Sequence, residues 1–129
     1  MAKDRTKVDF RPLRGEIYLV TFDPVRGREI AKTRPALIIQ NDIGNRESAV
    51  VIVAAITSYK KSNHLYPVNI FVKAPEGGLK QDSVVLLDQI RSVDKQRLGQ
   101  RLGKLNTESI IRINHAIEIS LGLGSLSGV

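Results

Sequence analysis

The chain has 129 residues, 42% of them hydrophobic, which is enough for one domain around one core. Against 13 Asp and Glu stand 20 Lys and Arg, a formal net charge of +7, and this balance favours nucleic acid or an acidic protein as partner without choosing between them. The absence of cysteine excludes disulfides and thiolate metal sites, and two histidines are too few for a histidine metal cluster. No apolar run is long enough for a membrane span, and the N-terminus carries charge where a signal peptide needs an apolar core. The expectation is a soluble, cytoplasmic protein with no metal and no cofactor.

In chain order, Met1 to Arg14 carries Lys3, Arg5, Lys7, Arg11 and Arg14 among few apolar residues. It reads as a mobile basic arm, or more plainly as a solubilising tail. Glu16–Asp23 (EIYLVTFD) is β-branched and aromatic with apolar residues on both faces, which predicts a strand buried on both sides. Arg26–Arg34 (RGREIAKTR) then places four cations in nine residues between two apolar runs. Such a loop faces solvent or an anion, and loops held on a rigid sheet are where small domains keep their chemistry. Pro35–Gln40 (PALIIQ) predicts a second strand, with proline tolerated at its first position. Asn41–Asn45 (NDIGN) is dense in turn formers. Ala49–Ile56 (AVVIVAAI) carries no charge and predicts a central third strand, and the polar, basic stretch Thr57–Tyr66 joins it to a fourth, Val68–Val72. Pro75–Gly78 reads as a loop, Ser83–Ile90 (SVVLLDQI) as a fifth strand ending in polar residues, and Arg97–Leu105 as a short sixth.

The spacing predicts one helix, Thr107–Leu121. Asn106 or Thr107 caps it, Glu108 suits its first turn, Ile110, Ile113, Ile117 and Leu121 share a face, and Gly122 and Gly124 stop it. The expected organisation is a basic arm (1–13), one domain (14–122) and a flexible tail (123–129). Five or six short strands with a single late helix do not suit a βαβ parallel sheet. A small, strongly bent antiparallel barrel, mainly β with one or more short helices and a C-terminal helix, fits better because closure removes exposed edges.

Familiar catalytic patterns are missing: there is no GxSxG, HExxH, P-loop or GxGxxG. His64 lies in a polar loop and His115 inside the helix pattern, a poor pair for fixed acid–base geometry. Arg34 precedes proline, which favours an extended conformation at the mouth of a strand. A guanidinium fixed there matches phosphate oxygens, and equally it can be a plain surface arginine. Thr57 follows the apolar AVVIVAAI run, so its hydroxyl emerges where the strand leaves the core, either as a structural strand end or as a phosphate ligand beside an arginine. Asp88 and Gln89 interrupt an apolar strand, as a satisfied polar pair or, for the glutamine amide, as a reader of base edges.

Three linked blocks, RGEIYLVTFDPVRGREIAKTRPALIIQND, VVIVAAIT and DSVVLLDQIRSVDKQRL, resemble the MazF/PemK toxins of bacterial toxin–antitoxin systems. The similarity runs from about Arg14 to Leu121, and QNDIGN and DSVVLLDQIR are most like the MazF-type endoribonucleases of Gram-positive bacteria. The resemblance implies a small SH3-like barrel that forms a homodimer and binds an acidic MazE-like antitoxin. It implies a metal-independent, sequence-specific endoribonuclease acting on single-stranded RNA, in which the substrate 2′-hydroxyl attacks the adjacent phosphate. The family's essential arginine and threonine fall on Arg34 and Thr57, and the acidic residue of the first loop falls on Glu29, a candidate base whose alternative is a salt bridge to Arg28 or Lys32. RNA-binding positions fall on Arg28, Lys32, Asn41, Asp88 and Gln89, and a stacking position on Tyr66. Ile30 and Lys32 depart from the Gln and Gly of many relatives, in a loop that helps to select bases, so a relative's cleavage sequence does not transfer. Two rivals remain at this stage: a toxin of the same fold aimed at gyrase, and an RNA-binding barrel without activity.

Overall fold

The computed structural model describes residues 11–22 and 32–124. Six strands form one antiparallel sheet in the order β4-β5-β3-β2-β1-β6: β1 Glu16–Thr21, β2 Thr33–Ile38, β3 Val50–Ser58, β4 Asn69–Val72, β5 Ser83–Asp94 and β6 Leu98–Lys104. Two helices complete the described part, α1 Asp42–Glu47 and α2 Thr107–Leu121, with short 3-10 turns at 76–78 and 95–97. No helix among the described residues is long and apolar enough to cross a membrane.

The sheet is buried on both faces because its strands are apolar on both. Ile17, Leu37, Ala54 and Leu87 pack on one side beneath Ile113 and Ala116 of α2. Their strand neighbours Tyr18, Ala36, Ile38 and Val53 pack on the other. The doubly buried reading of β1 therefore holds. The C-terminal helix has the predicted bounds: Asn106 Oδ1 accepts from the Ser109 N–H at 2.8 Å, and Gly122 ends the helix at φ 70°. Its buried stripe is narrower than predicted, because Leu121 is 59% exposed while Ala116 is buried.

The two ends of the sheet meet through a turn. The 76–78 turn follows β4 and packs against β6. Gly78 sits at φ 75°, and a Cβ there would collide with the Leu102 carbonyl; a Cβ on Gly103 would meet the backbone of Gly77. This close glycine contact bends the sheet towards closure, as expected for a small barrel.

Three expectations are corrected. The NDIGN stretch is not a plain turn: Asn41 Oδ1 accepts from the Gly44 N–H at 2.7 Å and caps α1. Asn45 is buried there, donating to the Gln40 carbonyl at 2.9 Å and to Asp42 Oδ1 at 3.0 Å. The fifth strand does not end at Ile90 but continues to Asp94. Between Leu86, which pairs with Ala55, and Ile90, which pairs with Ala54, three residues leave the β3 ladder, so the polar pair is accommodated as a bulge. The arm reading does not extend to its last residues. Pro12 is buried, and Arg14 donates to the Ile39 carbonyl and to Asn114 Oδ1, both at 2.8 Å, tying the residue after β2 to α2. The rest of the arm, 1–10, the loop residues 23–31 and the tail from 125 lie outside the described residues.

Beside Arg14 lies a buried carboxylate. Glu16 is 7% exposed and accepts from the Leu13 N–H at 2.7 Å, the Tyr18 hydroxyl at 3.1 Å and Arg101 Nε at 2.6 Å. Full satisfaction is what makes a buried charge tolerable. Burial, then the charge of Glu16 and its hydrogen bond, push the Tyr18 phenol up to about 12, against the opposing pull of Arg101.

Candidate nucleic-acid interface

Arg34 and Thr57 come from different strands and reach the same place by register. Ala36 pairs with Ala55, and Leu37 with Ala54. Continuing that ladder outward by two residues brings Arg34 opposite Thr57, where both side chains leave the core and are exposed. Proline at 35 withholds a ladder donor and keeps the preceding arginine extended.

Two clefts flank this pair and share Arg34, Ile56 and Thr57 as a common wall. One, of about 360 Å³, has an apolar floor of Leu19, Leu79 and Leu102 with Ser58, Lys80, Gln81 and Gln100 around it. The other, of about 430 Å³, is lined by half-buried Phe22, Ala55 and Leu86 and by exposed Lys32, Gln89 and Arg91. Among the described residues neither cleft is lined by a carboxylate, and the second gathers Lys32, Arg34 and Arg91. The result is a cationic groove with an apolar base, suited to a polyanion that also carries flat apolar groups. Among the described residues, no group of three His, Asp or Glu side chains is arranged to hold a metal ion.

Comparison with known proteins gives this arrangement a family. Residues 13–121 match the family described as PemK-like, MazF-like toxin of type II toxin–antitoxin system. The chain belongs to the PemK/MazF-like toxin family. It is 44% identical over 110 residues to Endoribonuclease EndoA of Bacillus subtilis, covering 85% of this chain and 94% of that protein. It is 43% identical over 113 residues to Endoribonuclease MazF of Staphylococcus saprophyticus, covering 88% and 93%. Among solved structures, a mycobacterial endoribonuclease in complex with its cognate antitoxin superposes with a TM-score of 0.72 at 28% identity, covering 88% of this chain and 98% of that one.

Of the positions singled out by likeness to PemK/MazF toxins, Lys32, Arg34, Thr57 and Gln89 line the groove together. Asp88 is exposed in the β5 bulge but lines neither cleft. Asn41 is exposed and engaged as the α1 cap, away from both clefts. Tyr66 is 60% exposed in the β3–β4 connection, its ring edge-on to His64 at 4.5 Å, and also lines neither cleft. Arg28 and Glu29 lie outside the described residues. Sequence reasoning passed over Phe22, Lys80, Gln81, Arg91 and Gln100. For Arg91 a signal was present, since it closes the quoted DQIR block, but only the bulge shows that it returns to the groove.

Proposed function

We propose that this PemK/MazF-like toxin is an endoribonuclease that cleaves single-stranded RNA sequence-specifically and without a metal ion. The observation that carries the reading is the meeting of Arg34 and Thr57 at the wall shared by two clefts, so that one RNA strand can run from cleft to cleft past the pair. The 2′-hydroxyl of the nucleotide in one cleft attacks the phosphate that joins it to the next. The new O–P bond displaces the 5′-oxygen, which takes a proton from solvent, leaving a 2′,3′-cyclic phosphate and a 5′-hydroxyl end. Arg34 stabilises the added charge of the phosphorane, the preorganised electrostatic help that is usually the largest catalytic contribution. Thr57 donates a neutral hydrogen bond to a phosphate oxygen. Glu29, in the basic loop, is the ionisable group assigned to take the 2′ proton. A nucleophile supplied by the substrate explains why no Ser, Cys or metal site is needed.

The groove works in a homodimer and is blocked by an acidic antitoxin segment that folds onto it and covers Arg34. The relative seen with its cognate antitoxin supports that partner class. The test is incubation of purified protein with a long RNA in excess EDTA. Discrete fragments bearing 5′-hydroxyl ends support the reading, and intact RNA refutes it.

A further inference from the structure

Phe22 and Arg91 line the second cleft together with Arg34 and Thr57, and belong to different elements. Phe22 follows β1, and Arg91 pairs with Val53, one residue after Ile90 rejoins the β3 ladder beyond the β5 bulge. The Arg91 guanidinium carbon lies over the Phe22 ring, 4.9 Å from its centroid. The ring is partly buried against the core cluster of Tyr18 and Val20, while Arg91 is exposed. A cation over an aromatic face loses freedom and gains attraction to the ring quadrupole. Phe22 thus holds the planar, charged Arg91 guanidinium in a cleft that Gln89, Ala55 and Leu86 also line.

A planar guanidinium held against an aromatic ring, in a cleft that an amide and apolar side chains also line, fits a nucleobase. Unstacked bases pile on guanidinium planes as well as on aromatic rings, and an amide can pair with a base edge in both directions. We infer that this cleft is the slot for a base adjacent to the scissile phosphate, with Arg91 as its stacking platform and Phe22 as the residue that positions Arg91. The inference rests on the ribonuclease reading and extends it to a specificity residue. It commits to base stacking rather than to a backbone phosphate contact. Arg91→Lys separates the two, because lysine keeps the charge and loses the plane.

The experiment uses the full chain and a short RNA spanning a cut mapped on the wild-type protein. Cleavage is measured on the all-ribose strand. Binding is measured on the same strand with a single 2′-deoxy residue at the cut. Arg91→Lys should raise KM roughly 10-fold, the scale of one lost stacking contact, with kcat within about twofold and the salt slope of binding unchanged. End mapping on a long RNA should show relaxed preference at one position neighbouring the cut. Phe22→Leu should move KM the same way by a smaller factor, and Phe22→Tyr should restore it. An abasic ribose at that neighbouring position should weaken wild-type binding but leave Arg91→Lys unaffected. The inference is overturned if Arg91→Lys retains the wild-type KM and cut profile, or if the abasic and Arg91→Lys losses simply add. Either result leaves the ribonuclease reading standing provided Arg34→Ala slows cleavage ~100-fold or more. A wild-type protein that cuts no RNA overturns both.

Discussion

At the scale of single residues, side chains divide into those that face the groove and those that hold the barrel. Arg34 and Thr57 are exposed strand-end residues whose loss removes no core contact. Arg34→Ala should therefore fold normally and bind RNA nearly as well, while cleaving ~100- to 1000-fold more slowly, the usual cost of removing one charge-stabilising donor. Thr57→Ala should act in the same direction and less severely, since it removes a neutral hydrogen bond. Single-turnover rates at saturating protein measure both. Tyr18 belongs to the other class. Its phenol is raised in the folded state above its unfolded value near 10, so the folded protein holds that proton more tightly. The stabilisation is complete below pH 10 and is lost as pH rises towards 12. Tyr18→Phe should remove the share of stability loss, roughly 2–3 kcal/mol at most, that the wild type shows across that window, read from urea midpoints at several pH values.

At the scale of elements, the glycine contact between the 76–78 turn and β6 is the most constrained junction. Gly78→Ala meets both a positive φ and the Leu102 carbonyl, so it should lower Tm by several degrees or prevent folding, as thermal unfolding followed by circular dichroism will show. A second test separates two roles for Asn41. As the α1 cap its replacement by Ala should cost about 1 kcal/mol of stability with unchanged RNA affinity, whereas a groove role requires the affinity to fall. These junctions show what the sequence made legible. Apolar strands such as AVVIVAAI and the capped, glycine-terminated α2 announce themselves, because burial and capping leave local patterns. The extension of β5 past Asp88 and Gln89 does not, because a polar pair looks like a strand end unless the partner strand is known to skip it. The α1 helix was hidden for a related reason: NDIGN has turn composition, and only the Gln40–Asn45–Asp42 hydrogen bonds make it a helical turn. The Arg34–Thr57 meeting was approached through family likeness, since its basis, the β2–β3 register, is a long-range property. Arg91 went unnoticed because its place in the groove depends on the bulge.

At the scale of the whole molecule, a net charge of +7 and a groove without carboxylates among its described lining make binding electrostatic. Affinity for RNA should fall steeply with salt, and Lys32→Ala should weaken binding to all sequences while reducing the slope of log affinity against log salt by roughly 0.7. An unchanged slope would take Lys32 out of the groove. An acidic antitoxin peptide that competes for the same cations should inhibit cleavage and lose its grip at high salt, and a complex that cleaves at the full rate would contradict the shared surface. In the proposed reaction the nucleophile belongs to the RNA, and the protein supplies charge and alignment. The most direct measurement compares an RNA carrying one 2′-deoxy residue at the mapped cut with its all-ribose counterpart. The two strands should bind nearly equally and the deoxy strand should stay uncut at that position; cleavage there at a comparable rate would mean that the nucleophile is not the substrate 2′-hydroxyl.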